Sequence, residues 1–155
     1  MTGTAQLLIE SLPGDLGARL LAAGVDDAGT PLEAYEDPDG GAPLRCCLRD
    51  SRPGERLVLA AVTPPGPRDA YREVGPVFLH AQPCAGPLDE VPPFWSTRRQ
   101  VLRTYDAAGH LSGGEVAEPG DQLAVAGRLL TDPAVAFVQA RNVVHGCFML
   151  TLRRP

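Results

Sequence analysis

Leu57-Val58-Leu59-Ala60-Ala61-Val62 is the longest uninterrupted apolar run in this chain of 155 residues. No other stretch limits the fold as much. Six residues are far too few to cross a bilayer, and a short apolar run bounded by turn signals reads as a strand covered on both faces. Before it stands Asp50-Ser51-Arg52-Pro53-Gly54. After it, Pro64 to Arg72 carries three prolines and a glycine, which makes a surface loop. A strand held between such breakers belongs at the centre of a sheet, joined by the first turn to Pro43-Leu44-Arg45-Cys46-Cys47-Leu48.

A second strand follows the loop. Gly75-Pro76 opens Val77-Phe78-Leu79, which delivers His80 and stops at Pro83, just before Cys84. Farther along, Arg99 to Asp106 alternates, with Val101, Arg103 and Tyr105 on one face and Leu102 and Thr104 on the other. Val135–Val144 and Cys147–Arg153, separated by His145-Gly146, form a hairpin, and the change to polar side chains puts Arg141 and Asn142 near a rim. Leu16, Leu20 and Ala23 are spaced for a helix that starts after Pro13-Gly14-Asp15, stops at Gly24 and packs on a sheet. Asp121 to Leu130 is a second helix, with Leu123, Ala126, Gly127 and Leu130 as its stripe and Asp121 accepting from the first-turn amides. The residues before Leu12 make a short strand or an arm, Asp26 to Ala42 is mostly loop, and the glycine-rich stretch from Ser112 leads into the second helix. Phe94 and Trp95, in a proline-rich connection, read as a lid over the core. The fold class is α+β: a single domain over residues 1–155, with a helix-containing segment 1–40, a core 41–155 and a mainly antiparallel sheet of about five to seven strands.

Composition removes several functions. All 14 basic residues are arginine, so the chain cannot form a lysine Schiff base, build a P-loop or supply a kinase lysine. A net charge of -5 argues against nucleic acid as a partner. With no export signal, the expected compartment is the cytoplasm and Cys46, Cys47, Cys84 and Cys147 are read as reduced thiols. On a strand, Cys46 and Cys47 would point to opposite faces, so that at most one of them serves a given site.

Pro43-Leu44-Arg45-x-Cys47-Leu48-Arg49-Asp50-x-x-Pro53-Gly54-Glu55, Tyr71-x-x-x-Gly75-Pro76-Val77-Phe78-x-His80-Ala81, Arg103-x-Tyr105-x-x-x-Gly109, Asp132-Pro133-x-Val135-Ala136 and Gly146-Cys147-Phe148 occur in that order. Together they resemble the bacterial domain of unknown function family 1203, over roughly residues 40 to 153. The chain departs from the family pattern at Leu44, where that family often has cysteine. The resemblance implies no activity.

Three kinds of chemistry follow from the residues themselves. Arg45, Arg103 and Arg141 with His80, Tyr105 and Asn142 suit a polar site for a small anionic molecule, because the guanidinium fork matches carboxylate or phosphate. This is the leading reading: a small binding or accessory domain with no cofactor. The alternative is zinc on Cys47, His80, Cys84 and Cys147, from the pairs His80-x-x-x-Cys84 and His145-x-Cys147, with Cys46 a further thiolate in reserve. A related alternative is a nucleophilic Cys47 or Cys84 activated by His80 and flanked by Arg45 and Arg49. A structural subunit of a homo-oligomer is the remaining class. No paired carboxylates, nucleophile elbow or dinucleotide fingerprint occurs.

Overall fold

A computed structural model describes residues 6–87 and 96–155. The described residues form two antiparallel sheets and two eight-residue α-helices, so the α+β class and antiparallel pairing read from the sequence hold. The strands are divided between a five-stranded and a three-stranded sheet. Although composition shows one regime, backbone contacts gather the chain into two compact units interleaved in sequence. Phe94 and Trp95 lie outside the described residues.

One unit, which among the described residues comprises 11–65 and 72–87, holds the three-stranded sheet. Its order is β2 (Tyr35–Asp37), β3 (Glu55–Val62) and β4 (Gly75–His80). The long apolar run is thus the central strand. Val58, Ala60 and Val62 line its fully buried face, whereas on the opposite face Leu57 is buried and Leu59 is 48% exposed. Cover on both faces is therefore incomplete. Helix α1 (Leu16–Ala23) ends on Gly24, whose φ of 82° lets its N–H turn back to the Leu20 and Leu21 carbonyls. It lies against β3 and β4, but its fully buried residue is Gly17 rather than Leu16, Leu20 or Ala23. A Cβ at Gly17 would fall 2.0 Å from the His80 carbonyl oxygen, so only glycine permits this approach.

The other unit holds the five-stranded sheet, in the order β1 (Leu8–Glu10), β8 (Phe148–Arg153), β7 (Phe137–Asn142), β5 (Gln100–Tyr105), β6 (Leu111–Ala117). Its core includes Leu102, Val138, Ala140, Leu150 and Leu152. Strand β6 lies where the sequence suggested only a glycine-rich lead-in. Gly113 and Gly114 face Thr104 and Arg103 across the ladder, and a Cβ on Gly114 would come within 3.1 Å of the Leu102 carbonyl oxygen. Helix α2 (Gln122–Leu129) buries Gln122, Ala126 and the following Leu130, while Leu123 is exposed. Asp121 does not cap it. Its backbone is already in the right-handed helical region, which turns the carboxylate away from the first-turn amides. Gln122 serves this end instead, accepting from the Gly120 N–H and donating to the Arg98 carbonyl. No helix among the described residues is long and apolar enough to cross a membrane.

Candidate metal centre

Three segments of the three-stranded unit bring four soft ligands together. Leu44 runs beside Phe78 as a single parallel bridge, and the Arg45 N–H donates to the Phe78 carbonyl at 2.9 Å. Two residues farther along both segments, Cys46 therefore stands next to His80, whose backbone N–H points to the Cys46 sulfur at 3.4 Å. At Arg45 the chain leaves the extended path for a tight turn, closed by the Leu48 N–H on the Leu44 carbonyl at 3.1 Å. Leu48 has φ of 58°, an unfavourable conformation for a branched side chain that its burial maintains. Because Cys46 and Cys47 sit in this turn, the opposite-face expectation for a strand does not apply. Both thiols face the same place.

Cys84 arrives from the other side. Its N–H donates to the Gly14 carbonyl at 3.0 Å, and a Cβ on Gly14 would lie 2.2 Å from the Cys84 carbonyl oxygen. The ligating atoms of Cys46, Cys47, His80 and Cys84 all lie within 4.8 Å of one another. His80 Nδ1 is 3.5 Å from the Cys46 sulfur and 3.9 Å from that of Cys47. A tetrahedral zinc ion with ordinary bond lengths needs ligand separations of about 3.5–3.8 Å. The donor set is one that zinc favours, and the two histidine–sulfur distances are close to those separations.

The far side of the imidazole is also arranged. His80 pairs with Leu57 across the β3–β4 ladder, so Glu55, two residues before Leu57, shares its face. Glu55 Oε1 lies 3.5 Å from His80 Nε2. Arg49 grips Glu55 with two contacts, of 2.6 and 3.1 Å, and places its Nη2 3.4 Å from the same ring nitrogen. The Arg49 guanidinium, with the Arg52 N–H, holds the Glu55 carboxyl at about 2, well below the usual 4.5. A proton on Nε2 directed at this carboxylate leaves the Nδ1 lone pair for the thiol side, the usual arrangement behind a metal-bound histidine.

The thiols share their protons unequally. Hydrogen bonding from Cys46 lowers the Cys47 thiol, against the opposing effect of burial and with the assistance of the Arg49 N–H and the Arg49 charge. Cys46 is raised, by its bond to Cys47 and by burial. One thiolate, on Cys47, is thus favoured in the cluster before any cation arrives.

Of the remaining site residues suggested by the sequence, Arg45 stands in the turn beside Cys46, and Arg103, Tyr105, Arg141, Asn142 and Cys147 belong to the five-stranded unit. Cys147 and His145 belong to the five-stranded unit, and Cys147 is not among the grouped ligands; Cys46 takes that fourth place. Arg45 is 2% exposed and donates to the Pro43 carbonyl at 2.6 Å. Arg103, Tyr105 and Arg141 do share one face of β5 and β7 by register, but Asn142 is on the other. Tyr105 is buried and stacked on Phe137 at 4.9 Å. Arg141 is buried and donates to the Gly146 carbonyl and to Gln139 Oε1, both at 3.3 Å. Asn142 Oδ1 accepts from the Val144 and His145 amides, and so holds the β7–β8 turn. Glu55 escaped the sequence reading. The available signal was its place two residues before Leu57, on a strand antiparallel to the one that ends at His80.

The chain belongs to the protein family of unknown function DUF1203, whose pattern matches residues 41–154. All four grouped ligands, with Arg49 and Glu55, fall inside that span. No curated protein and no solved structure matches the chain.

Proposed function

We propose that this member of the DUF1203 family is a metal-binding protein that holds a zinc ion with Cys46, Cys47, Cys84 and His80. The observation that carries the reading is the convergence of three sulfurs and one imidazole nitrogen within 4.8 Å, from three segments of the chain. Four protein ligands leave no open coordination position, so the site has the closed form of structural and regulatory zinc rather than the three-ligand form of a hydrolase. Glu55 and Arg49 orient the histidine, and the Cys47 thiolate supplies the first negative charge for the cation.

An anion-binding domain, the leading expectation from composition, has less support. Arg45 and Arg141 are buried and already donate to backbone carbonyls, and Tyr105 is stacked within the core. The test is metal content of protein purified without a histidine tag. One zinc per chain is expected, falling to a small fraction of that in Cys46→Ser and unchanged in Cys147→Ser. Full metal retention in Cys46→Ser would refute the assignment.

A further inference from the structure

We propose, building on the metal-centre reading, that the site is redox-gated: a hydroperoxide joins Cys46 to Cys84 as a disulfide, and the metal is released. The geometry points to a link that includes Cys84. Adjacent residues have Cα atoms about 3.8 Å apart, less than the roughly 4.4 Å minimum of ordinary disulfides, so Cys46 and Cys47 are poorly placed to join each other. Cys84 is the remaining thiol in the cluster and comes from another segment. Its sulfur lies within 4.8 Å of that of Cys46. It is also the most accessible of the three, since Cys46 is fully buried and Cys47 nearly so.

The scaffold around the sulfurs is held by backbone bonds that require no metal. These are Arg45 N–H to Phe78, Leu44 N–H to Arg49, Leu48 N–H to Leu44 and Cys84 N–H to Gly14. Loss of the ion therefore leaves the thiols in place to react. In the first step the Cys84 sulfur attacks the peroxide; an S–O bond forms, the O–O bond breaks and an alcohol (water, for hydrogen peroxide) leaves with the proton. In the second, the Cys46 sulfur displaces the oxygen from Cys84, forming the S–S bond and releasing water that carries off the thiol proton. The peroxide takes up the two electrons that the sulfur pair loses. Cys47 and His80, the two ligands left, are too few to take the ion up again.

The full chain is loaded with zinc, treated with hydrogen peroxide, and followed by a chromogenic zinc chelator and intact mass. The expected result is stoichiometric zinc release together with loss of two hydrogens. Peptide mapping should show a Cys46–Cys84 link, and dithiothreitol should reverse both changes. Cys84→Ser should lose the link, whereas Cys47→Ser should keep it even though its metal binding is weaker. Zinc retained after peroxide, oxygen added without a link, or a link that survives Cys84→Ser would overturn the proposal. The metal reading fails separately, if reduced chain takes up no zinc while metal-free chain still forms the link.

Discussion

Gly17 occupies the position where α1 meets the strand that delivers His80, and its lack of a side chain is what sets the distance between them. In an unconstrained helix, alanine in place of glycine stabilises by about 0.5–1 kcal/mol. Here the added carbon would meet the His80 carbonyl oxygen at 2.0 Å and the Leu79 Cβ at 3.2 Å. Gly17→Ala is expected to destabilise by about 1–3 kcal/mol, the usual cost of overpacking, and denaturant unfolding gives the sign directly. Glu55 makes a second prediction at this scale. Its carboxyl titrates at about 2 in the folded chain against an ordinary 4.5, so the pairing stabilises the fold above pH 4.5 and is lost as pH falls from there through 2. Arg49 and Glu55 remain partly in water, which limits the effect to about 1–2 kcal/mol. Glu55→Gln should lower stability by that amount at pH 7, show little difference from the parent near pH 2, and weaken zinc binding by about 10- to 100-fold. An unchanged zinc affinity would remove Glu55 from the site. Of the proposed ligands, His80 and Cys84 were legible in the sequence because a strand and a proline place them; Cys46 stood only in reserve, because two adjacent cysteines share a face only if the chain leaves the extended path, and the turn that makes them do so depends on the tertiary contact with Phe78.

Among the elements, those set by their own hydrophobic pattern were readable. Strands β3 and β4 and helix α1 fall where apolar spacing and the Pro and Gly stops put them. Strand β6 was not, since Gly113 and Gly114 carry no pattern of their own and the ladder to β5 determines their conformation. The loop before β2 illustrates the same dependence. Asp26 lies in a stretch with little periodicity, yet its carboxylate accepts from the Ala28 and Thr30 amides at 3.0 and 2.9 Å and from the Ala61 amide at 2.9 Å, tying the loop to β3. The Ala61 N–H is the largest of the influences that lower its pKa below 3.8. Asp26→Ala should therefore reduce stability at neutral pH. The gap from the parent should narrow as pH falls below 3.8, because the unfolded parent then takes up a proton that the hydrogen-bonded carboxylate of the folded parent resists. Thermal unfolding at pH 7 and at pH 3 measures both, and a gap independent of pH would assign the loss to packing rather than to the charged acceptor.

At the scale of the molecule, the four proposed ligands all lie between residues 46 and 84, within the unit built on the three-stranded sheet. An ion that binds the folded chain and not the unfolded one stabilises it by mass action, by about 4 kcal/mol at a thousandfold excess over Kd. The local effect is more informative than the global one. Amides that open by small fluctuations gain protection where the ion holds the backbone, and the turn at residues 45–48 and the segment around Cys84 lie outside the regular ladder of β2, β3 and β4. Native-state hydrogen exchange with and without zinc should therefore show the largest gains at Cys46, Cys47, Leu48 and Cys84. The amides of Val144, His145 and Cys147, in the β7–β8 connection of the other unit, should gain least by local opening. A gain centred on His145 and Cys147 would move the metal to the hairpin pair suggested by sequence spacing, and would leave the cluster at His80 as a group of buried thiols beside a histidine.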